Sequence, residues 1–181
     1  MMRIITGKNK GKLLRMPRGI RPTQNKVRKA LFDILGDIGG LSFLELFAGS
    51  GAVGLEAASR GAGELALVED EPGCISAIDR NIKSLNFKSC RLYPVPALDA
   101  VKEFSRRKKE FDIIFLDPPY YRGLAKKTLQ ILDAYDILAP NGIIIVQHFR
   151  KDILPHDLRR LALTRQKRYG DTELSFLVKR G

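Results

Sequence analysis

From residue 42 onward, short apolar runs alternate with longer stretches whose apolar positions recur every three or four residues. The runs at 42–47, 64–68, 90–95, 111–116 and 142–147 predict buried strands, and the stretches near 52–60, 73–85, 97–107 and 123–135 predict helices. Strand and helix alternating at this spacing predict an α/β fold, a mostly parallel sheet covered on both faces, with ligands bound outside the carboxyl ends of the strands. The end of the chain departs from that pattern. Runs at 163–169 and 172–179 flank Gly170-Asp171, which predicts a hairpin and therefore an antiparallel strand. The first of the pair is charged (Thr164-Arg-Gln-Lys-Arg168) and suits an exposed edge, whereas the second (Leu174-Ser-Phe-Leu-Val178) suits a covered position. The last strand is therefore expected beside the fifth, with the penultimate strand outermost.

Before the array, Arg3-Ile-Ile-Thr6 and Lys12-Leu-Leu-Arg-Met16 flank Gly7-Lys-Asn-Lys-Gly11, which predicts a hairpin with a basic tip. Arg21-Pro22-Thr23 then introduces a helix with an apolar stripe of Val27, Ala30, Leu31, Ile34 and Leu35. Residues 1–20 are expected to form a hairpin extension and 21–181 a single domain.

Composition narrows the class. A chain of 181 residues, 44% hydrophobic and 29% charged, can bury a core without disulfides. The first residues lack an apolar targeting segment and the longest apolar runs are too short to span a bilayer, so a cytoplasmic protein with no membrane partner is expected. Cys74 and Cys90 form no CxxC pair and have no ligand-like spacing to His148 or His156, which predicts reduced thiols and no metal. The net charge of +12 is uneven. Residues 1–32 contain no Asp or Glu and carry +10, leaving +2 for the rest. Such a concentration is the footprint of polyanion binding, with Arg3, Lys8, Lys10, Lys12, Arg21 and Arg28 as candidate contacts. A merely solvated basic arm would carry the same charge, but this segment has the pattern of an ordered one.

Two motifs carry chemistry. Glu45-Leu-Phe-Ala-Gly49-Ser-Gly51-Ala-Val-Gly54 is a glycine turn between strand and helix, and Glu69 ends the next strand where an acid would accept from a ribose diol. A dinucleotide and S-adenosylmethionine both fit that description. The fourth strand ends in Asp117-Pro118-Pro119-Tyr120. An acid at a strand's carboxyl end points into the ligand crevice, prolines stiffen the backbone after it, and a tyrosine offers a ring for stacking. That set suits a planar substrate with an exocyclic amine, which would donate to the Asp117 carboxylate and the Pro118 carbonyl. No dehydrogenase chemistry needs it. A structural reading, in which the prolines end a strand and Tyr120 packs, uses the same residues.

With "FLELFAGSGAVGLEAASRGA" and "IIFLDPPYYRG", the leading "MRIITGKNKGKLL" with "RPTQNKVRKALFDIL", and "KRYGDTELSF", the chain resembles the bacterial 16S rRNA (guanine-N2)-methyltransferases of the RsmD type over nearly its whole length. The resemblance implies a class I S-adenosylmethionine-dependent methyltransferase: a Rossmann-like seven-stranded sheet with a reversed last strand, acting on one guanine of 16S rRNA on the assembling small ribosomal subunit. A monomer is expected. The resemblance further implies that Glu45, Phe47, Ala48, Gly49 and Gly51 surround the methionine part of the cofactor, and that Glu69 takes the ribose hydroxyls. Pro96 replaces the usual side-chain acceptor near the adenine amine, which leaves Asp99 or the backbone around Ala97 to take it. Asp117, Pro118, Pro119 and Tyr120 would form the catalytic motif, with Asp117 also at the cofactor. Arg21, Thr23 and Arg28 would stand at the substrate entrance, and the basic hairpin on RNA backbone. Gln147-His148 replaces a more usual acidic pair after the fifth strand. An adenine-N6 methyltransferase, a nonenzymatic RNA-binding assembly factor and a nicotinamide-dependent oxidoreductase are the competing readings.

Overall fold

The computed structural model describes residues 2–17, 19, 25–120 and 123–181. A two-stranded hairpin, β1 (Met2–Arg3) and β2 (Leu13–Leu14), precedes helix α1 (Asn25–Leu35). The alternating array follows as β3 (Ser42–Leu46), α2 (Ala52–Ser59), β4 (Glu64–Val68), α3 (Pro72–Leu85), β5 (Cys90–Tyr93), α4 (Ala97–Arg106), β6 (Phe111–Leu116), α5 (Leu124–Ala134) and β7 (Leu138–Phe149). Strands β8 (Leu161–Tyr169) and β9 (Thr172–Lys179) close the chain. The sheet order is β5-β4-β3-β6-β7-β9-β8, so the last strand inserts beside β7 and the charged β8 is the edge. β7 and β9 run antiparallel, as do β8 and β9, and the other pairings are parallel.

The parallel strands inside the sheet are covered on both faces, the edge strand β5 only partly, and their side chains alternate between two cores. Phe43, Leu65, Leu67, Ile113, Phe115 and Ile145 meet α1, α2 and α3, and Leu44, Leu46, Ala66, Ile114, Leu116 and Ile144 meet α4 and α5. The hairpin belongs to the first core, since Met2, Ile4 and Leu14 are buried in it. Its loop is fixed by α2. The Glu56 carboxylate accepts from the amides of Ile5 and Thr6 at 2.6 and 2.9 Å, and Ser59 Oγ accepts from the Asn9 amide at 2.9 Å. Gly7 presses so closely on Ser59 that a Cβ would lie 1.8 Å from its carbonyl oxygen. Asn81 of α3 completes the attachment: its amide brackets the Arg15 backbone and also donates to the Ser50 carbonyl in the glycine turn.

Arg28, expected on RNA, is wholly buried instead. Its guanidinium donates to the carbonyls of Arg3 and Ala52 and to Asn25 Oδ1, joining α1 to the hairpin and α2. Burial lowers its pKa from the usual range, opposed by the charges of Glu56 and Glu45. The helix places this cation inward between Val27 and Leu31, where the hairpin at Arg3 and α2 at Ala52 each supply a carbonyl to receive it. Arg21 and Thr23 lie outside the described residues.

Candidate active site

The site is a row of residues one step past the last parallel register partners of four strands, three of them leaving the ends of β4, β3 and β6 and the fourth, Gln147, lying inside β7. Val68, Leu46, Leu116 and Val146 are register partners across β4, β3, β6 and β7. The residues that follow them are Glu69, Phe47, Asp117 and Gln147. β3 and β6 leave the sheet in opposite directions, toward β4 and toward β7, so a crevice opens between them at the topological switch point.

The glycine turn forms one wall. Phe47 has a φ of 60°, a left-handed conformation unusual for a bulky residue, and its ring packs against the second core. Ala48 donates its amide to the Val68 carbonyl at 3.0 Å, and Gly49 donates to Glu69 Oε2 at 2.7 Å. Gly51, at φ 72°, caps α2. Gly54 is required by packing, because a Cβ there would come within 2.5 Å of Leu67 and 2.8 Å of Glu45. The helix can then approach the strand closely enough for the Gly54 amide to donate to Glu45 Oε2 at 2.8 Å.

Three carboxylates gather here. Glu45 is buried, and burial pushes its pKa up to about 8 against the hydrogen bond from Gly54, with the charges of Asp117 and Glu69 adding to the rise. Glu69 is half-buried and accepts from the amides of Gly49, Asp70 and Glu71, so its orientation is fixed by backbone. This acidic row beside a glycine turn fits a cationic cofactor carrying a ribose. Pro96 caps α4, and the buried Ala97 opens that helix, where the first amides have no helical acceptor. Asp99 is exposed, 3.7 Å from Lys102.

Asp117 and its neighbours form the other wall. Asp117 and Tyr120 are half-buried, Pro118 is buried and Pro119 exposed. The Tyr120 hydroxyl is 3.1 Å from Thr172 Oγ1, and its ring centroid lies 6.3 Å from that of Phe149. The hairpin that reverses the last strand thus supports the tyrosine.

Gln147 also reaches the crevice, through a contact that the sequence did not reveal. It is buried, and its Nε2 donates to Asp117 Oδ2 at 2.8 Å, while its Oε1 has no partner among the described residues. The sequence marked it only as the last residue of an apolar run, standing with His148 in place of a more usual acidic pair. Next to it, His148 faces the other way. Its buried ring contacts Ser175 Oγ at 2.8 Å and the Phe149 carbonyl at 2.9 Å, on the face of the sheet away from Asp117. Among the candidate RNA contacts, Arg3, Lys8, Lys10 and Lys12 are exposed on the hairpin. Among the described residues no group of three or more His, Cys, Asp or Glu side chains, these carboxylates included, is arranged to hold a metal ion. Nor is any described helix long and apolar enough to cross a membrane.

The sheet, in chain order 3-2-1-4-5-7-6, with the glycine turn and the acid-Pro-Pro-Tyr motif on adjacent strands at its switch point, defines the class I S-adenosylmethionine-dependent methyltransferase class. The chain belongs to the family described as Conserved hypothetical protein 95, whose model matches residues 2–178. Ribosomal RNA small subunit methyltransferase D of Escherichia coli (strain K12) is 34% identical over 172 residues, 93% of this chain and 85% of that protein. The solved structure of the Thermus thermophilus hypothetical protein TTHA0928 is 34% identical, covers 99% of both chains and superposes with a TM-score of 0.87. The Thermus thermophilus 16S rRNA N2 G1207 methyltransferase RsmC, solved with AdoMet and guanosine, shares the fold at a TM-score of 0.70 and 22% identity, over 90% of this chain and 44% of that one.

Proposed function

We propose that this protein methylates the exocyclic N2 amine of one guanine in 16S rRNA, in the cytoplasm, on the assembling small ribosomal subunit, and that it acts as a monomer. The observation that carries the reading is the adjacency of Phe47 and Asp117, which follow the register pair Leu46 and Leu116 and set the glycine turn and the catalytic motif side by side. A cofactor held on one wall then faces an amine held on the other.

When bound, S-adenosylmethionine supplies a methyl group already activated by its sulfonium. The protein's task is therefore positioning and exclusion of water. Glu69, Ala48, Gly49 and Gly51 hold the ribose and methionine portions, the Glu45 carboxyl backs the turn, and the amides of α4 at Ala97 take the adenine edge. Asp117 and the Pro118 carbonyl accept the two N–H bonds of the guanine amine and aim its lone pair at the methyl group. Gln147 keeps Asp117 in place through the 2.8 Å hydrogen bond. After transfer, the extra proton on nitrogen leaves to Asp117 or to water. Tyr120 stacks on the base, worth about 1–3 kcal/mol in comparable contacts, and Pro119 stiffens the backbone between them. The base must leave its stack to enter. The RNA backbone lies along Arg3, Lys8, Lys10 and Lys12.

The test is methyl transfer from labelled S-adenosylmethionine to small subunits from cells lacking this protein, followed by nucleoside mass analysis. N2-methylguanosine is expected. Asp117→Ala should lower kcat by at least about a hundredfold while leaving cofactor affinity within about threefold, the pattern of an interaction made in the transition state. N6-methyladenosine, or equal losses of transfer and cofactor binding, would overturn the assignment.

A further inference from the structure

Edge strand β8 carries cations on both faces of the sheet, and the pairing registers sort them. Arg165 lies opposite Phe176 and Lys167 opposite Leu174, and across β9 these meet Ile145 and Gln147 of β7. Paired residues project from the same face. Arg165 and Lys167 therefore stand on the face from which Gln147 reaches Asp117, and on which the hairpin and α1 pack. Arg168 pairs with Glu173 and through it with His148, on the opposite face.

The two faces use their polar groups differently. On the far face, Gln166 donates to Glu173 and Ser175, and Arg168 donates to the Gly170 carbonyl. On the near face, Arg165 and Lys167 are exposed and neither makes an ion pair among the described residues, Arg165 resting over the Phe176 ring at 6.0 Å. Protecting an edge from strand pairing requires charge but not this division. The placement relative to the site is informative too. The hairpin is bonded to α2 and α3, which connect the β3, β4 and β5 half of the sheet, while β8 borders the other half. Asp117, at the end of β6, lies between them.

We propose that Arg165 and Lys167 form a second phosphate-contacting strip for the RNA substrate, so that its backbone is held on both sides of the target base. This rests on the reading of the protein as an rRNA methyltransferase. Exposed charge on the correct face, with no anionic partner among the described residues, complements a polyanion that already meets the hairpin.

The experiment compares wild type with Arg165→Gln/Lys167→Gln, the opposite-face control Arg168→Gln, and the charge-keeping Arg165→Lys/Lys167→Arg. Methyl transfer to small subunits is measured as kcat/KM across a salt series, with cofactor affinity measured separately. The neutralised pair should lose about tenfold in kcat/KM, with a log–log salt slope shallower by about 1–2 and unchanged cofactor affinity. The control and the charge-keeping variant should match wild type. A wild-type slope in the neutralised pair, or an equal loss in Arg168→Gln, overturns the strip while leaving the methyltransferase reading intact. Wild-type protein that binds cofactor and transfers nothing to the subunits overturns both.

Discussion

A carboxyl group taken out of water by burial, as Glu45 is, with the charges of Asp117 and Glu69 adding to the effect, keeps its proton well above the usual carboxylate range, here to about 8. In the unfolded chain the same group ionises near 4.5. The folded state thus binds the proton more tightly, and the sign of the linkage follows: the stabilisation is complete below about 4.5 and lost as pH rises through about 8. The protein without cofactor should lose melting temperature across that window, by an amount on the order of a few kcal/mol of stability. Glu45→Gln retains an acceptor for the Gly54 amide and should flatten the decline; thermal melts of both forms at intervals from pH 5 to 9 check it, and parallel curves would show that Glu45 does not carry the proton. Glu69 and Asp117 stood out in the sequence because each follows an apolar strand in a recognisable motif, whereas Glu45 lies inside β3 and stood out only through the glycine turn that follows it. Gln147 did not, because its bond to Asp117 depends on a strand pairing between positions thirty residues apart. Arg28 was misread for a related reason: in a run of cations, charge is visible and burial is not.

The hairpin shows how an element with little core of its own is held. Its strands are two residues each, shorter than the apolar runs at 3–6 and 12–16 suggested, because the loop backbone turns away to bond α2 rather than its own partner. Glu56 is the chief anchor, fully buried, with two hairpin amides and the Arg60 guanidinium on one carboxylate. Removing it leaves those donors unsatisfied, so Glu56→Ala should cost about 2–4 kcal/mol of stability. Amide exchange at Ile5 and Thr6 should rise well before that of β3 and β6, and unchanged protection there would show that the hairpin is held by its apolar residues alone. The strands of the main sheet were far more legible. β4, β6 and β9 have the expected bounds, since each centres on an apolar stretch closed by turn or charged residues. β7 begins earlier, at Leu138, because Pro140 and Asn141 read as a turn yet sit in its exposed, irregularly registered first half.

Across the molecule, charge and chemistry occupy different parts of the chain but the same face of the sheet. Ten of the twelve net positive charges fall in residues 1–32, and the structure withdraws Arg28 from that set by burying it. Lys8, Lys10 and Lys12 remain exposed on the hairpin, and none makes an ion pair among the described residues. The fold class, the reversed last strand and the position of the crevice were all legible, because strand-helix periodicity constrains topology strongly. Which cations face the crevice was not, because side-chain direction depends on registers and helix phases that charge counts do not record. If the hairpin grips RNA backbone, its three lysines act through release of counterions, and the effect must appear in the salt dependence before it appears in chemistry. Replacing all three with Gln should leave cofactor affinity and the rate at saturating substrate unchanged while raising KM for small subunits. The log–log salt slope should fall by about 2–3, near one for each phosphate no longer neutralised. A reduced rate at saturation with an unchanged slope would instead mean that the hairpin shapes the crevice, and that backbone recognition lies elsewhere on this face.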